Sequence, residues 1–426
     1  MSAAWRVLIG LLAGALIGWL LSSHAPTVAL QISGVLKPIG GLWLNALQMT
    51  IVPLVFSLLL LGIAQASDVA SSGRIARRAL LWMLGLASLS SSFAAIYAPT
   101  FLTLFPTDPQ LLAALQSGTA PTPAGGNVAA SLTALVPNNV LAAAAQGAIV
   151  PLVVFALCFG VALTRLPAER RAPVLALAQG VADAMLVIVH AVLWLAPLGV
   201  FALIVPVVVQ AGASVLGALG VYVLLLVSCY ACILVGLYVV ATLGGGVSLR
   251  RFAAGILPAQ VVAASTQSSL ASLPAMLDVS ANRLRHPTHI GGLVLPLAVS
   301  LFRVCSPAQY LCVISFISWA YGTPLPLVTI LACIALGVVI SLGSVGLPGQ
   351  ASFMGTNLPM VQAAGLPLEP LGLLLAVDLI PDAVATTGNV TGDLTVTSRV
   401  AGGVSMAASA GTDLAPAAER SEAEPR

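Results

Sequence analysis

The sequence predicts an all-α polytopic membrane protein with eight transmembrane helices and two oppositely entering re-entrant hairpins. Three observations predict it. Of 426 residues, 59% are hydrophobic and only 7% charged, with mean hydropathy +1.07, whereas soluble domains run near ~25% charged. The arginines gather in alternate loops. The stretch 377–400, VDLIPDAVATTGNVTGDLTVTSRV, carries Asp378, Asp382 and Asp393 in a chain otherwise almost uncharged.

A span needs about 20 apolar residues. Candidates are 5–21, 42–63, 79–104, 140–163, 176–210, 216–243, 290–320 and 368–400. The first lacks a convincing n-region and cleavage site, so it reads as a transmembrane helix rather than a signal peptide. Its Gly10, Gly14 and Gly18 form a small-residue ridge for close helix packing. Two further apolar stretches, 252–277 and 325–365, are interrupted by Ser, Gly and Pro. The composition of 411–426 reads as a disordered tail.

Orientation follows from charge. Arg6 precedes the first span; Arg74, Arg77 and Arg78 follow the second; Arg165, Arg170 and Arg171 follow the fourth; Arg250 and Arg251 follow the sixth; Arg399 closes the last. The alternate loops hold only Lys37. The positive-inside rule then puts both termini of a multi-pass plasma (inner) membrane protein in the cytoplasm. Arg283 and Arg285 also belong inside, so 252–282 must enter from the cytoplasm and return to it. By the same parity 323–367 enters and leaves from outside. The two tips, 264–274 and 341–349, are rich in hydroxyls and glycine. Non-helical backbone at membrane depth survives only buried in protein or lining a watery cavity, and paired broken segments mark a transporter's binding site.

At about 100° per residue, Asp378, Asp382, Asn389 and Asp393 fall at roughly 0°, 40°, 20° and 60° on one helical face. In a membrane protein such a stripe faces a protein interior or a cavity. Asp378 reads as a helix-orienting residue; Asp382 and Asp393 read as functional. Asp183 in the fifth span reads as structural and toward the cytoplasmic end, and His190 as a satisfied core histidine. Asp278 caps or anchors the end of the first hairpin. The six cysteines, including the Cys229/Cys232 pair, lie in apolar runs and read as packing residues.

Here the chain resembles the dicarboxylate/amino acid:cation symporters, the glutamate and aspartate transporter family. Ser272-Leu273-Pro274 looks like the end of that family's first hairpin tip, and Gly343-Ser344-Val345-Gly346-Leu347-Pro348-Gly349 like its second. Asp378…Asp382…Thr386…Asn389-Val390-Thr391-Gly392-Asp393 resembles its last helix. Ala196-Pro197-Leu198-Gly199 and Val136-Pro137-Asn138-Asn139 add to the likeness. The resemblance implies inverted repeats, a homotrimer, and an elevator motion carrying a transport domain past a scaffold. It assigns 1–78 and 140–210 to the scaffold, 79–139 and 211–401 to the transport domain, and 402–426 to a cytoplasmic tail. It also implies roles. Backbone of Ser268, Ser269, Val345 and Gly346 would cradle a substrate carboxylate, Asp382 would hold an ammonium, and Thr386 and Asn389 would complete the pocket. Asn389 and Asp393 would ligate one sodium ion; Ser300, Ser341, Leu342 and Ser344 would ligate another.

Three departures bear on function. Ala385 stands where the family's last helix carries a carboxylate-gripping arginine, and Gln267 where some relatives supply it from the first hairpin. Phe302-Arg303-Val304-Cys305-Ser306 aligns with Asn-Met-Asp-Gly-Thr, so two sodium-ligating side chains are hydrocarbon, leaving at most a residual site at Asn389 and Asp393; hard cations need several oxygens. Arg303 itself is the one arginine deep in a span and needs a partner, with Pro307 nearby compatible with a broken helix. The guanidinium pairs with Asp393 in place of a lost sodium ion, or reaches the substrate with Ser306, or makes a structural ion pair.

The expected function is secondary active symport of a small amino acid or related organic anion, with sodium coupling reduced or replaced by protons. A C4-dicarboxylate held by Arg303 is the runner-up. A solute or anion channel, or a non-transporting binding protein, is the other-class alternative. No enzyme motif appears, no cofactor is implied, and a net charge of +3 gives no reason to expect nucleic acid.

Overall fold

The computed structural model describes residues 3–71, 73–106, 136–146, 149–212, 214–243, 247–343 and 349–412. Among these the chain is helical, without a strand: α1 (Ala3–His24), α2 (Pro26–Gln48), α3 (Ile51–Ser71), α4 (Arg74–Leu102), α5 (Val140–Ala145), α6 (Ile149–Thr164), α7 (Ala168–Trp194), α8 (Ala196–Ala211) and α9 (Ser214–Thr242). Then follow α10 (Leu249–Thr266), α11 (Ser269–Asp278), a π-helical turn (Val279–Arg283), α12 (Thr288–Leu301), α13 (Cys305–Tyr321), α14 (Leu327–Gly343), α15 (Gly349–Ala363), α16 (Pro370–Val377) and α17 (Leu379–Thr412). Counting α2–α3 and α12–α13 each as one stretch, six described helical stretches are long and apolar enough to cross a membrane, seven if the bent pair α16–α17 is one span.

Several expected spans are broken, each for a local reason. The 42–63 stretch lies across α2 and α3, which part at Thr50; its hydroxyl donates to Leu47 O at 2.7 Å. The 176–210 stretch breaks at Leu195, where Pro197 can start a helix but not continue one. The 290–320 stretch opens at 302–304, with Phe302 extended at φ −129° and ψ 130°. The last span bends by 69° between α16 and α17. That last helix then runs to Thr412, past the expected end near 402, and 413–426 lie outside the described residues.

The glycine ridge of α1 packs on α8. A Cβ on Gly10 would meet Pro197, one on Gly14 Ile204 and Phe201, and one on Gly18 Val205 and Val208, so only glycine allows the helices this close. Helix α2 also packs on α8, while α3 packs on α6 and α7, and Arg171 on α7 reaches Asp68 on α3 at 3.2 Å. Helices α9, α10 and α12 surround α17, and α4 lies along α13. Behind the acidic stripe, Val390 and Leu394 sit in a core with Phe252, Ile256 and Leu295. Both faces of α17 are therefore inside protein, which is the membrane-protein reading of its pattern.

Helices α10 and α11 are joined by two residues, Gln267 and Ser268, with Gln267 in the left-handed region at φ 52°. Ser268 caps α11, its Oγ accepting from Ala271 N at 3.2 Å. The second tip, including Ser344, Val345 and Gly346, lies outside the described residues. At the far end of the first pair, Asn282 Nδ2 donates to Asp278 Oδ1 at 2.6 Å, the anchoring expected of Asp278.

His286, in the connection before α12, is only 7% exposed and its Nδ1 lies 3.1 Å from Ser280 Oγ. Burial first, and the nearby Arg251 charge second, push this imidazole from 6.5 down to about 4. The unfolded chain therefore takes up a proton that the folded one refuses. Stability from this group is full above pH 6.5 and falls as pH drops toward 4, by about 3 kcal/mol in all. Melting midpoints at pH 7 and 4.5 should differ less for His286→Asn than for the natural chain; equal pH slopes would count against the buried neutral ring.

Candidate functional site

The helix opening at 302–304 is held by side chains from two neighbours. Phe302 N–H still donates to Ala298 O at 2.8 Å. Val304 O accepts from Ser90 Oγ of α4 at 2.6 Å, and Cys305 N–H donates to Asn389 Oδ1 of α17 at 2.9 Å. With backbone groups satisfied from outside, an unwound turn is tolerated inside the bundle. Its consequence is directional. Phe302 and Val304 turn toward α17, where a Cβ on Gly392 would lie 3.2 and 3.0 Å from them, and Arg303 turns into a cavity.

That cavity holds about 420 Å³ and is lined by Ser268 and Ser269 from the first hairpin, Arg303 and Ser306 from the opening, and Asp382, Thr386 and Asn389 from α17. The structure thus brings together seven residues singled out in the sequence. It does not bring all of them. Asp393 is fully enclosed off the cavity, and neither carboxylate oxygen has a hydrogen-bond partner. Ser300 is exposed; Ser341 is buried, with its Oγ donating to Val338 O at 2.7 Å; Leu342 faces a different hollow beside α3 and α6.

Arg303 Nη1 donates to Ser352 Oγ of α15 at 3.2 Å. No ion pair within 4.0 Å joins it to Asp382 or Asp393, so the expected close pairing with Asp393 is not made. Thr386 spends its proton on Asp382 O at 2.8 Å and so offers the cavity an acceptor. Gln267 Nε2 donates to Leu379 O at 2.8 Å, tying the hairpin turn to the start of α17. The bend at Asp378 keeps its helical bond, Asp382 N–H to Asp378 O at 2.8 Å.

Asp378, read from the sequence as a helix-orienting residue of the stripe, also lines the cavity, and among the lining residues not singled out are Gln309, Ser352 and Tyr230. Asp378 is bonded not to backbone but to Gln309 Nε2 at 3.1 Å. Its partner was legible, since Arg303, Ser306 and Gln309 recur every third residue in an otherwise apolar run. Ser352 gave no periodic signal. His190 is exposed rather than a core residue, with Nδ1 2.7 Å from Leu186 O. Asp183 is exposed too, and lies mid-helix because α7 starts at Ala168.

The cavity lining carries both acidic side chains, Asp378 and Asp382, and the guanidinium of Arg303, and the capped start of α11 adds N–H donors. Its size suits a small organic solute. Broken helices around a polar cavity are the architecture of a membrane transport protein. The chain belongs to the sodium:dicarboxylate symporter family, whose model matches residues 3–402. It is 29% identical over 402 residues to the proton/glutamate-aspartate symporter of Escherichia coli (strain K12), covering 92% of this chain and 90% of that protein. It is 28% identical over 401 residues to the proton/sodium-glutamate symport protein of Bacillus subtilis (strain 168), covering 92% and 90%. It is 30% identical over 379 residues to C4-dicarboxylate transport protein 2 of Ralstonia nicotianae (strain ATCC BAA-1114 / GMI1000), covering 86% and 83%. The family expected from the motifs is the family found.

Proposed function

We propose that the protein is a secondary active transporter that carries a small amino acid or related organic anion across the plasma membrane. Sodium coupling is reduced or replaced by protons. The observation that carries this reading is Asp382 and Arg303, opposite charges on the walls of one cavity of about 420 Å³. Asp382 holds an ammonium; Arg303 and the start of α11 hold carboxylate. Among the described residues Arg303 hydrogen-bonds only to Ser352, and a guanidinium without a close carboxylate there favours the second reading, a C4-dicarboxylate gripped by Arg303. Movement is by an elevator, with 79–139 and 211–401 travelling against 1–78 and 140–210, and both termini cytoplasmic.

The test is uptake into proteoliposomes under independently imposed sodium and proton gradients, with aspartate, alanine and succinate as probes. A carrier saturates and shows counterflow. Current without saturation would mark a channel, and binding without movement a non-transporting protein.

The trimer draws support from α7. Only 17% of its apolar window is buried, yet Gln179, Asp183 and His190 share its exposed face, at roughly 0°, 40° and 20°. Gln179 Nε2 donates to Asp183 Oδ1 at 2.8 Å. A carboxylate turned to lipid costs about 2.5–3.5 kcal/mol, which a second copy of the chain covering this face removes. Asp183→Leu with His190→Leu should therefore lower the oligomer fraction in native mass measurements. An unchanged oligomer with a higher melting point would place this face against lipid instead.

A further inference from the structure

The family name couples transport to sodium, and sodium here is cargo whose binding needs several oxygen ligands. At the Asn389–Asp393 position the chain does not offer them. Asn389 Oδ1 accepts Cys305 N–H at 2.9 Å, so one lone-pair direction is already aimed at the helix opening. Phe302 and Val304 press hydrocarbon against Gly392, the neighbour of Asp393. No cluster of three or more His, Cys, Asp or Glu side chains fit to hold a metal exists among the described residues. Among the described side chains at this position, Asp393 alone keeps both oxygens unpartnered, whereas a hard cation takes several oxygen ligands.

Between those two hydrocarbon side chains stands Arg303, turned the other way, into the cavity. We infer that Arg303 is a tethered cation doing the work of one coupling sodium ion, so that transport at this site is independent of sodium. The inference rests on the transporter reading and deepens it by naming what replaces the ion. Two features of the geometry carry it. The guanidinium lines the cavity that Asp382 faces, and the two side chains that flank it, Phe302 and Val304, pack on Gly392 beside Asp393. It also donates to Ser352, which joins the helix opening to α15, the second arm of the other hairpin. A dissociable ion would compensate these acids and join these elements only when bound. A side chain does so in every state of the cycle, and therefore cannot pass the energy of a sodium gradient to the substrate.

Two measurements test it, on the full chain. In proteoliposomes, aspartate and succinate uptake by the natural chain should agree within about twofold between sodium and choline at equal ionic strength. In detergent, the melting midpoint should likewise be indifferent to that exchange, because an ion that does not bind the folded state does not stabilise it. Phe302→Asn, Arg303→Met and Val304→Asp together restore oxygens and remove the fixed charge. That variant should gain sodium dependence, about tenfold or more in uptake, with a sodium-dependent rise in melting point. Arg303→Met alone should lose uptake that sodium does not restore, while Arg303→Lys keeps part of it. Uptake or melting of the natural chain that rises about tenfold or by several degrees with sodium overturns the inference while leaving the transporter standing. No movement of any probe would instead bring down the transporter reading, and the melting comparison would still judge the sodium question. If the triple variant fails to fold, the natural chain's two indifferences remain the deciding observations.

Discussion

Asp382→Asn should raise the KM for an amino acid by about 30- to 1,000-fold, the equivalent of about 2–4 kcal/mol. Asp382 is on the first turn of α17, half-buried, and lines the cavity. An amide offers the solute's ammonium one neutral oxygen and turns two N–H donors against it. Charge-assisted hydrogen bonds are about twice as strong as neutral ones, and most of the loss comes from leaving the cation without its anionic partner. The same substitution carries a second discrimination. A C4-dicarboxylate has no ammonium, and Asp382 as an anion repels it. Succinate uptake should therefore be unchanged or improved in Asp382→Asn while alanine and aspartate uptake collapse. Equal behaviour of all three solutes would mean that Asp382 does not touch substrate.

The sequence announced the acidic stripe because lipid makes the bland explanation of buried charge expensive. It announced the opening at Arg303 for the same reason, and Pro307 hinted that the helix would not be continuous. Other parts were hidden for physical causes. Whether Arg303 reaches Asp393 or the cavity depends on which way three successive side chains turn once the helix unwinds, and no periodicity governs an unwound turn. Ser352 is a hydroxyl in a segment with several polar residues, and only the chain's path brings it to the guanidinium. Asp183 and His190 were misplaced because the fifth span was drawn too late and as one piece. Moving its start to Ala168 and breaking it at Leu195 puts both mid-helix on an exposed face. Hydropathy sees where apolar residues are, not where proline and backbone geometry divide them. Among the ligands expected for a second cation, Ser300, Ser341 and Leu342 had only motif position behind them, and none of the three lines the cavity.

Asn389→Leu should lower the melting midpoint by about 2–5 °C and abolish uptake with it, and it separates a scaffold role for this side chain from a purely solute-binding one. Cys305 and Asn389 are both buried, and Asn389 Oδ1 is the acceptor for Cys305 N–H. Leucine keeps the branched four-atom skeleton and removes the acceptor, leaving a donor without a partner at a cost of about 1–3 kcal/mol; in a chain of this size that corresponds to a few degrees. The opening carries Arg303 and Ser306 into the cavity, so a shift there displaces both groups even if the helices stay packed. Asn389→Asp retains an oxygen in the same place and should keep the melting midpoint close to that of the natural chain, whatever it does to transport. Ser90→Ala removes the donor to Val304 O and should cost less, because a carbonyl with two lone pairs tolerates losing one partner better than an N–H tolerates losing its only one. The expected order of stability is therefore the natural chain and Asn389→Asp together, then Ser90→Ala, then Asn389→Leu. An Asn389→Leu protein that melts with the natural chain yet does not transport would remove the structural role and leave Asn389 as a solute contact alone.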